Sequence, residues 1–139
     1  MAPDIEVVND RIALIGQYLR DLESFRQIEL PRFRENRERQ YACLHALQLA
    51  IEASMEIATH ICTADRLGSP KTYVDAFELL EANRVLPHEL TRKLCAMARF
   101  RNLMVHHYAR IDLDQVYEIL QSNLGDFEDY LRCIDSYLP

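Results

Sequence analysis

Arg101 and His106 stand five residues apart with Asn102, His107 and Tyr108 beside them, so a fixed cation, two imidazoles and a phenol share eight residues. A guanidinium is permanently charged, and its forked donors match the oxygens of a phosphoryl group. A free imidazole titrates near about pH 6.5, so it can take up or release a proton near neutrality. On a helix advancing about 100° per residue, His106 lies about 140° round from Arg101. The Arg side chain then has to reach round the helix or meet a histidine from a second subunit. The same wheel sets Leu90, Leu94, Met97, Arg101, Met104, Val105 and Tyr108 on one stripe, with the guanidinium in the middle of an apolar face. A plainer arrangement uses the same residues: Arg101 snorkels to the helix edge and Tyr108 packs with its hydroxyl outward.

The surrounding segment is basic. From Arg84 to Arg110, six cations (Arg84, Arg92, Lys93, Arg99, Arg101, Arg110) face Glu89 alone, whereas from Ile111 onward seven acids face only Arg132. A basic stretch in a chain of net charge −6 is either a polyanion-binding surface or a helix neutralised by its acidic neighbour.

The elements that must position these groups are helical. Pro3-Asp4 starts a first helix, in which Ile5, Val8, Ile12, Ile15, Leu19 and Leu22 repeat at steps of three and four. Ser24 to Arg39 alternates Arg with Glu, is interrupted by Pro31, and reads as a solvated connection leading into the next helix. Arg39 to about Thr63 is the spine, with Leu44, Leu47, Ile51, Met55, Ala58 and Ile61 on one face. His45 and His60 on it read as packing residues, and Glu52 and Glu56, one turn apart, as a wet face. Asp65 to Lys71, with Gly68 and Pro70, is a loop, and Thr72 caps a short helix that Asn83 to Pro87 closes. The basic helix runs from Pro87-His88-Glu89 to about Tyr108, and Ile111-Asp112 breaks it. A last helix begins between Asp112 and Asp114 and buries Val116, Ile119, Leu120, Leu124, Phe127, Leu131 and Ile134, with Gly125 as its weak point. The expected fold is all-α, an antiparallel bundle of about five helices in one domain over residues 1–139.

Composition narrows the function classes. Hydrophobic residues make up 49% and there are three Gly and five Pro, which suits a packed helical domain. No leader pattern and no apolar run near the roughly 20 residues needed to span a bilayer is seen, so a cytoplasmic protein with no membrane partner is expected. Cys43, Cys62, Cys95 and Cys133 are scattered singly and read as buried small hydrophobes. No metal-ligand spacing, phosphate loop or nucleophile elbow is present, and neither a metal nor another cofactor is expected.

Arg101 to Tyr108 fits Arg-x4-His-x-Tyr, and together with Ile111-Asp112 it resembles the signature of the HepT-type toxins of the HEPN superfamily. Leu47 to Ala58 is similar to that family's second helix, and Tyr73 to Phe77 followed by Val85-Leu86-Pro87 to its third element, so roughly residues 35 to 137 are covered. The resemblance implies a HEPN-like bundle that forms a homodimer and cleaves RNA without metal, with tRNA the favoured target. It also implies a toxin whose partner is a small nucleotidyltransferase antitoxin of the MntA type. Arg101 and His106 would be catalytic, and Tyr108 the residue on which the antitoxin places AMP. Asn102, one turn before His106, would orient the ring or bond a phosphate oxygen, and His107 would touch substrate. The competing expectation is a non-catalytic bundle that binds a nucleotide or holds substrate for the nucleotidyltransferase; a purely structural dimerisation bundle is a third.

Overall fold

The computed structural model describes residues 2–139, and its regular structure is helical throughout. The helices are α1 (Ile5–Arg26), α2 (Leu30–Glu35), α3 (Arg37–Ala64), α4 (Tyr73–Ala82), α5 (His88–His106), α6 (Leu113–Ser122) and α7 (Leu124–Tyr137), with a 3-10 turn at Tyr108–Arg110. The all-α bundle expected from the sequence is present, built from seven helices where five were anticipated.

Both additional helices have local causes. Pro31 falls in the first turn of α2, where its missing N–H costs nothing, so it starts a helix there and does not interrupt one. Phe33 on α2 is completely buried, and the Gln40 amide donates to the Phe33 and Arg34 carbonyls at 2.7 and 2.9 Å, closing the end of that helix. The last helix divides at Asn123, which leaves helical geometry (φ −118°, ψ 0°) and binds the Asp126 carboxylate at 3.1 Å. Gly125, which seemed the weak point, lies within the first turn of α7.

α3 is the spine: half of its 28 residues are buried, spread round the helix, so neighbours cover it on several sides. Small side chains at Ala50, Ala53, Ser54 and Ala58 let those neighbours approach closely. α1 runs antiparallel along it, with the Asp4 amide donating to His60 Nε2 at 2.9 Å and Arg11 paired with Glu56 one turn further on. Val8, Ile15 and Leu22, spaced by seven, are the fully buried residues of α1, while Ile5 at its start is exposed. α7 docks through Tyr130, whose buried hydroxyl donates to the Ser54 carbonyl at 2.8 Å. Between α2 and α6, Arg34 makes a two-pronged contact with Asp114 (3.0 and 2.6 Å) and Phe33 packs on Tyr117.

Cys43, Cys62 and Cys95 are buried, and burial raises all three thiols, that of Cys43 to about 12, so these groups stay protonated as small apolar side chains. The loop before α4 turns at Gly68, whose φ of +147° disfavours a side chain; a Cβ there would also stand 2.8 Å from a Leu79 methyl, which would have to shift. Among the described residues no helix is long and apolar enough to cross a membrane.

Candidate functional site

α5 brings Arg101 and His106 to the surface from one rigid element. Leu90, Leu94, Met97 and Met104, four members of the stripe read from the sequence, are buried and fix its rotation against the bundle. Thr91, Cys95, Ala98 and Phe100 are buried beside them, so the helix is held over a wide face. Arg101 follows at the edge of that face, its side chain 20% exposed, neither immersed nor free in solvent.

Its guanidinium is seated by three groups. Nε donates to Glu52 Oε1 at 3.1 Å, Nη2 stands 3.0 Å from the same oxygen in an ion pair, and Nη1 donates to Asn102 Oδ1 at 3.2 Å. The charged carbon stands 5.9 Å from the centre of the Tyr73 ring. Glu52 also accepts from Gln48 at 3.1 Å, one turn earlier on α3, and this steadies the carboxylate that steadies the arginine. Of five guanidinium N–H groups, two make hydrogen bonds among the described residues, which leaves donors on Nη1 and Nη2 for an incoming acceptor. Asn102 therefore orients Arg101 in this conformation, where the sequence had placed it beside His106.

His106 is the last residue of α5 and is exposed. It lies about 7.5 Å of helix rise beyond Arg101. At His107 the backbone leaves the helix (φ −138°, ψ 49°), its amide bonding back to the Leu103 carbonyl at 2.8 Å, and the chain turns through Tyr108–Arg110 before Asp112 caps α6. His107 is thus an exposed corner residue, with no hydrogen bond from its ring among the described residues.

Tyr108 corrects the reading from the helical wheel. α5 stops two residues before it, so Tyr108 is not on the apolar stripe; it projects from the corner, 48% exposed, with its ring 6.2 Å from that of Tyr41. Val105, also placed on the stripe, is 42% exposed. Partial burial raises the Tyr108 phenol, Tyr41 beside it adds to this and Arg37 opposes it, so the hydroxyl carries its proton at neutral pH.

Sequence reasoning missed Glu52, Tyr73 and Tyr41. Glu52 and Glu56 looked like a solvated pair, yet Glu52 meets Arg101 and Glu56 meets Arg11, and only the antiparallel docking of α5 and α1 on α3 separates the two roles. The basic stretch is not neutralised by the acidic tail: among the described residues Lys93 alone reaches it, at 3.6 Å from buried Asp126. Arg92 and Arg99 instead line a cleft of about 770 Å³ between α4 and α5, shared with Glu78 and Glu81 and on another side of α5 from Arg101. Among the described residues no group of three or more His, Cys, Asp or Glu side chains is placed to hold a metal ion.

Comparison with known proteins places this arrangement in a wider group. The family model described as "Ribonuclease HepT-like" matches residues 15–134. A protein of Aphanizomenon flos-aquae named tRNA nuclease HepT is 33% identical over 132 residues, which span 95% of this chain and 90% of that protein. A Shewanella oneidensis protein named mRNA nuclease HepT is 30% identical over 129 residues, 93% of this chain and 96% of that one. Among solved structures, a tri-AMPylated Shewanella oneidensis HEPN toxin in complex with MNT antitoxin superposes with a TM-score of 0.87 at 29% identity, covering 94% of this chain and 97% of that one.

Proposed function

The chain belongs to the HepT-like ribonuclease family, and from that premise we propose that it is a metal-independent endoribonuclease, the toxin of a pair whose antitoxin is an MntA-type nucleotidyltransferase. The observation that carries this reading is the seating of Arg101: a guanidinium fixed by Glu52 and Asn102, with N–H groups left unpaired among the described residues, on the same helix as an exposed His106.

Cleavage of RNA by its own 2′-hydroxyl needs one group to remove that proton and one to hold the charge gathering on phosphorus. His106 takes the 2′ proton as the O2′–P bond forms. Arg101 offers its free N–H groups to the non-bridging oxygens, and the fork is already oriented, so little reorganisation is needed as the charge develops. The P–O5′ bond then breaks, and the leaving oxygen takes a proton from water. Two copies of α5 related by a two-fold axis bring an Arg and a His from different chains into one cleft. The uncovered Val105 beside His106 is the kind of surface such a contact would bury. A guanidinium and an imidazole suffice for these steps without a metal. His107 would touch the bound strand.

RNA is the substrate class, and tRNA is favoured by the likeness to the Aphanizomenon protein; the Shewanella relative is named for mRNA. Silencing follows from AMP on Tyr108. The corner that carries this phenol follows directly on His106, so an attached phosphodiester and adenine would occupy the place of an RNA phosphate and base.

Incubation of the protein with tRNA in excess EDTA tests the proposal. Fragments ending in 2′,3′-cyclic phosphate are expected. RNA that stays intact while a nucleotide binds tightly would replace the enzyme with a nucleotide-binding module.

A further inference from the structure

We propose that Tyr41, on the second turn of α3, is a stacking shelf for a nucleobase, set beyond the His106 end of the Arg101 site. The inference rests on the ribonuclease reading for its ligand and on the structure for its place.

Tyr41 is 51% exposed, and no hydrogen bond engages its hydroxyl among the described residues. Its only aromatic neighbour among the described residues, Tyr108, is itself 48% exposed and meets it at 6.2 Å with the rings tilted by 42°. Two large rings left half in water contribute little to the core. They are suited to receive a flat partner, since every base has a π-face and stacking on an aromatic side chain is tolerant of sequence.

The platform is rigid. Asn36 caps α3 by accepting from the Arg39 amide at 3.0 Å, and Gln40, next to Tyr41, ties α3 to the end of α2. Arg34 on α2 is in turn anchored to Asp114. A ring mounted there loses little freedom when a ligand lands on it. Arg37 lies one turn before Tyr41, is exposed, and makes no ion pair among the described residues. Its charge is close enough to act on the Tyr108 phenol. A free guanidinium one turn from an open aromatic ring is a phosphate contact beside a base contact.

Spacing links the shelf to the chemistry. Tyr41 and Glu52 are eleven residues apart on α3, about 16 Å of rise, and Glu52 holds Arg101. α5 runs antiparallel to α3, so His106 falls between the two levels. A single strand with its phosphate on Arg101 passes His106 and has a base within reach of Tyr41 a few nucleotides on. The same shelf would take the adenine of an AMP attached to Tyr108, whose ring already touches it.

The test uses a 2′-O-methyl oligonucleotide, which the 2′-hydroxyl mechanism cannot cut, carrying 2-aminopurine along its length one position at a time. In the strand arm, the intact protein and Tyr41→Phe are expected to quench one position and bind alike, while Tyr41→Ala binds on the order of tenfold more weakly and loses the quenching. In the AMP arm, protein carrying AMP on Tyr108 is expected to show adenine proton resonances shifted upfield, and the shift to vanish in Tyr41→Ala. A Tyr41 dependence in the strand arm assigns the shelf to substrate, and one in the AMP arm alone assigns it to the mark. Equal behaviour of Tyr41→Ala and the intact protein in both arms, with native circular dichroism, overturns the proposal. Cleavage of unmodified RNA is read in parallel. Cleavage without Tyr41 dependence removes the shelf alone, and Tyr41-dependent binding without cleavage removes the nuclease and leaves the shelf.

Discussion

Arg101→Ala is expected to reduce RNA cleavage by about two to three orders of magnitude and His106→Ala by about two to four, while the protein remains folded. The figure for arginine follows from losing a pre-oriented donor to a developing oxyanion, about 10²–10³-fold. General acid–base catalysis by one side chain is of the order of 10²–10⁴-fold, which sets the figure for His106. Arg101→Lys is expected to recover only part of the loss. An ammonium keeps the charge, but its three N–H groups cannot bind both Glu52 and Asn102 and still present a pair to the phosphate. The double variant should be little worse than either single one, because the two groups act as a unit on one step. Folding is a fair control here. His106 is exposed, and the carboxylate that Arg101→Ala leaves alone is 25% exposed and still accepts from Gln48. Initial rates with a defined tRNA, together with thermal melts, check the prediction; single variants that cleave at the intact rate would remove both residues from the chemistry.

Tyr108→Phe keeps cleavage and abolishes silencing by the antitoxin. The substitution removes one oxygen from an exposed ring whose hydroxyl makes no hydrogen bond among the described residues, so stability should change by no more than about 0.5 kcal/mol. Transfer of AMP requires the phenol oxygen to attack the α-phosphorus of ATP, with pyrophosphate leaving and the phenol proton passing to a base. Partial burial, reinforced by Tyr41, favours the protonated Tyr108 phenol, so the transfer needs a base to take that proton. The measurement pairs intact mass after incubation with antitoxin and ATP with residual cleavage of RNA. The unmodified protein should gain nucleotide mass and lose activity; the Phe variant should do neither. A Phe variant that still gains the mass would move the target elsewhere, and the neighbouring phenol of Tyr41 would be the first place to look.

The legible and illegible parts of this chain divide along a physical line. α3 and α4 could be read because period and caps coincide: Thr72 and Asp75 form a reciprocal capping box, and the apolar face of α3 repeats without a break. The end of α5 could not be read to the residue. Nothing after His106 resembles a stop signal, so the helical wheel was carried two residues too far and set Tyr108 on the wrong surface. Pro31 was taken for an interruption because a proline in a charged stretch reads the same at a helix start as in a loop, and burial of Phe33 decides between them. Arg101 and His106 stood out by type and spacing. Glu52 did not, because an acid one turn from another acid looks solvated until a second helix brings it a cation.

The account turns on the Arg of one chain working with the His of another. Mixing Arg101→Ala protein with His106→Ala protein, after dissociation and reassembly, tests this directly. Each chain alone is inactive, but a mixed pair holds one intact Arg and one intact His on opposite subunits. Cleavage should return to a level on the order of a quarter of the unmodified protein's. If the mixture stays as inactive as its components while size measurements show mixed pairs, the two groups do not act across a shared cleft and the mechanism is wrong.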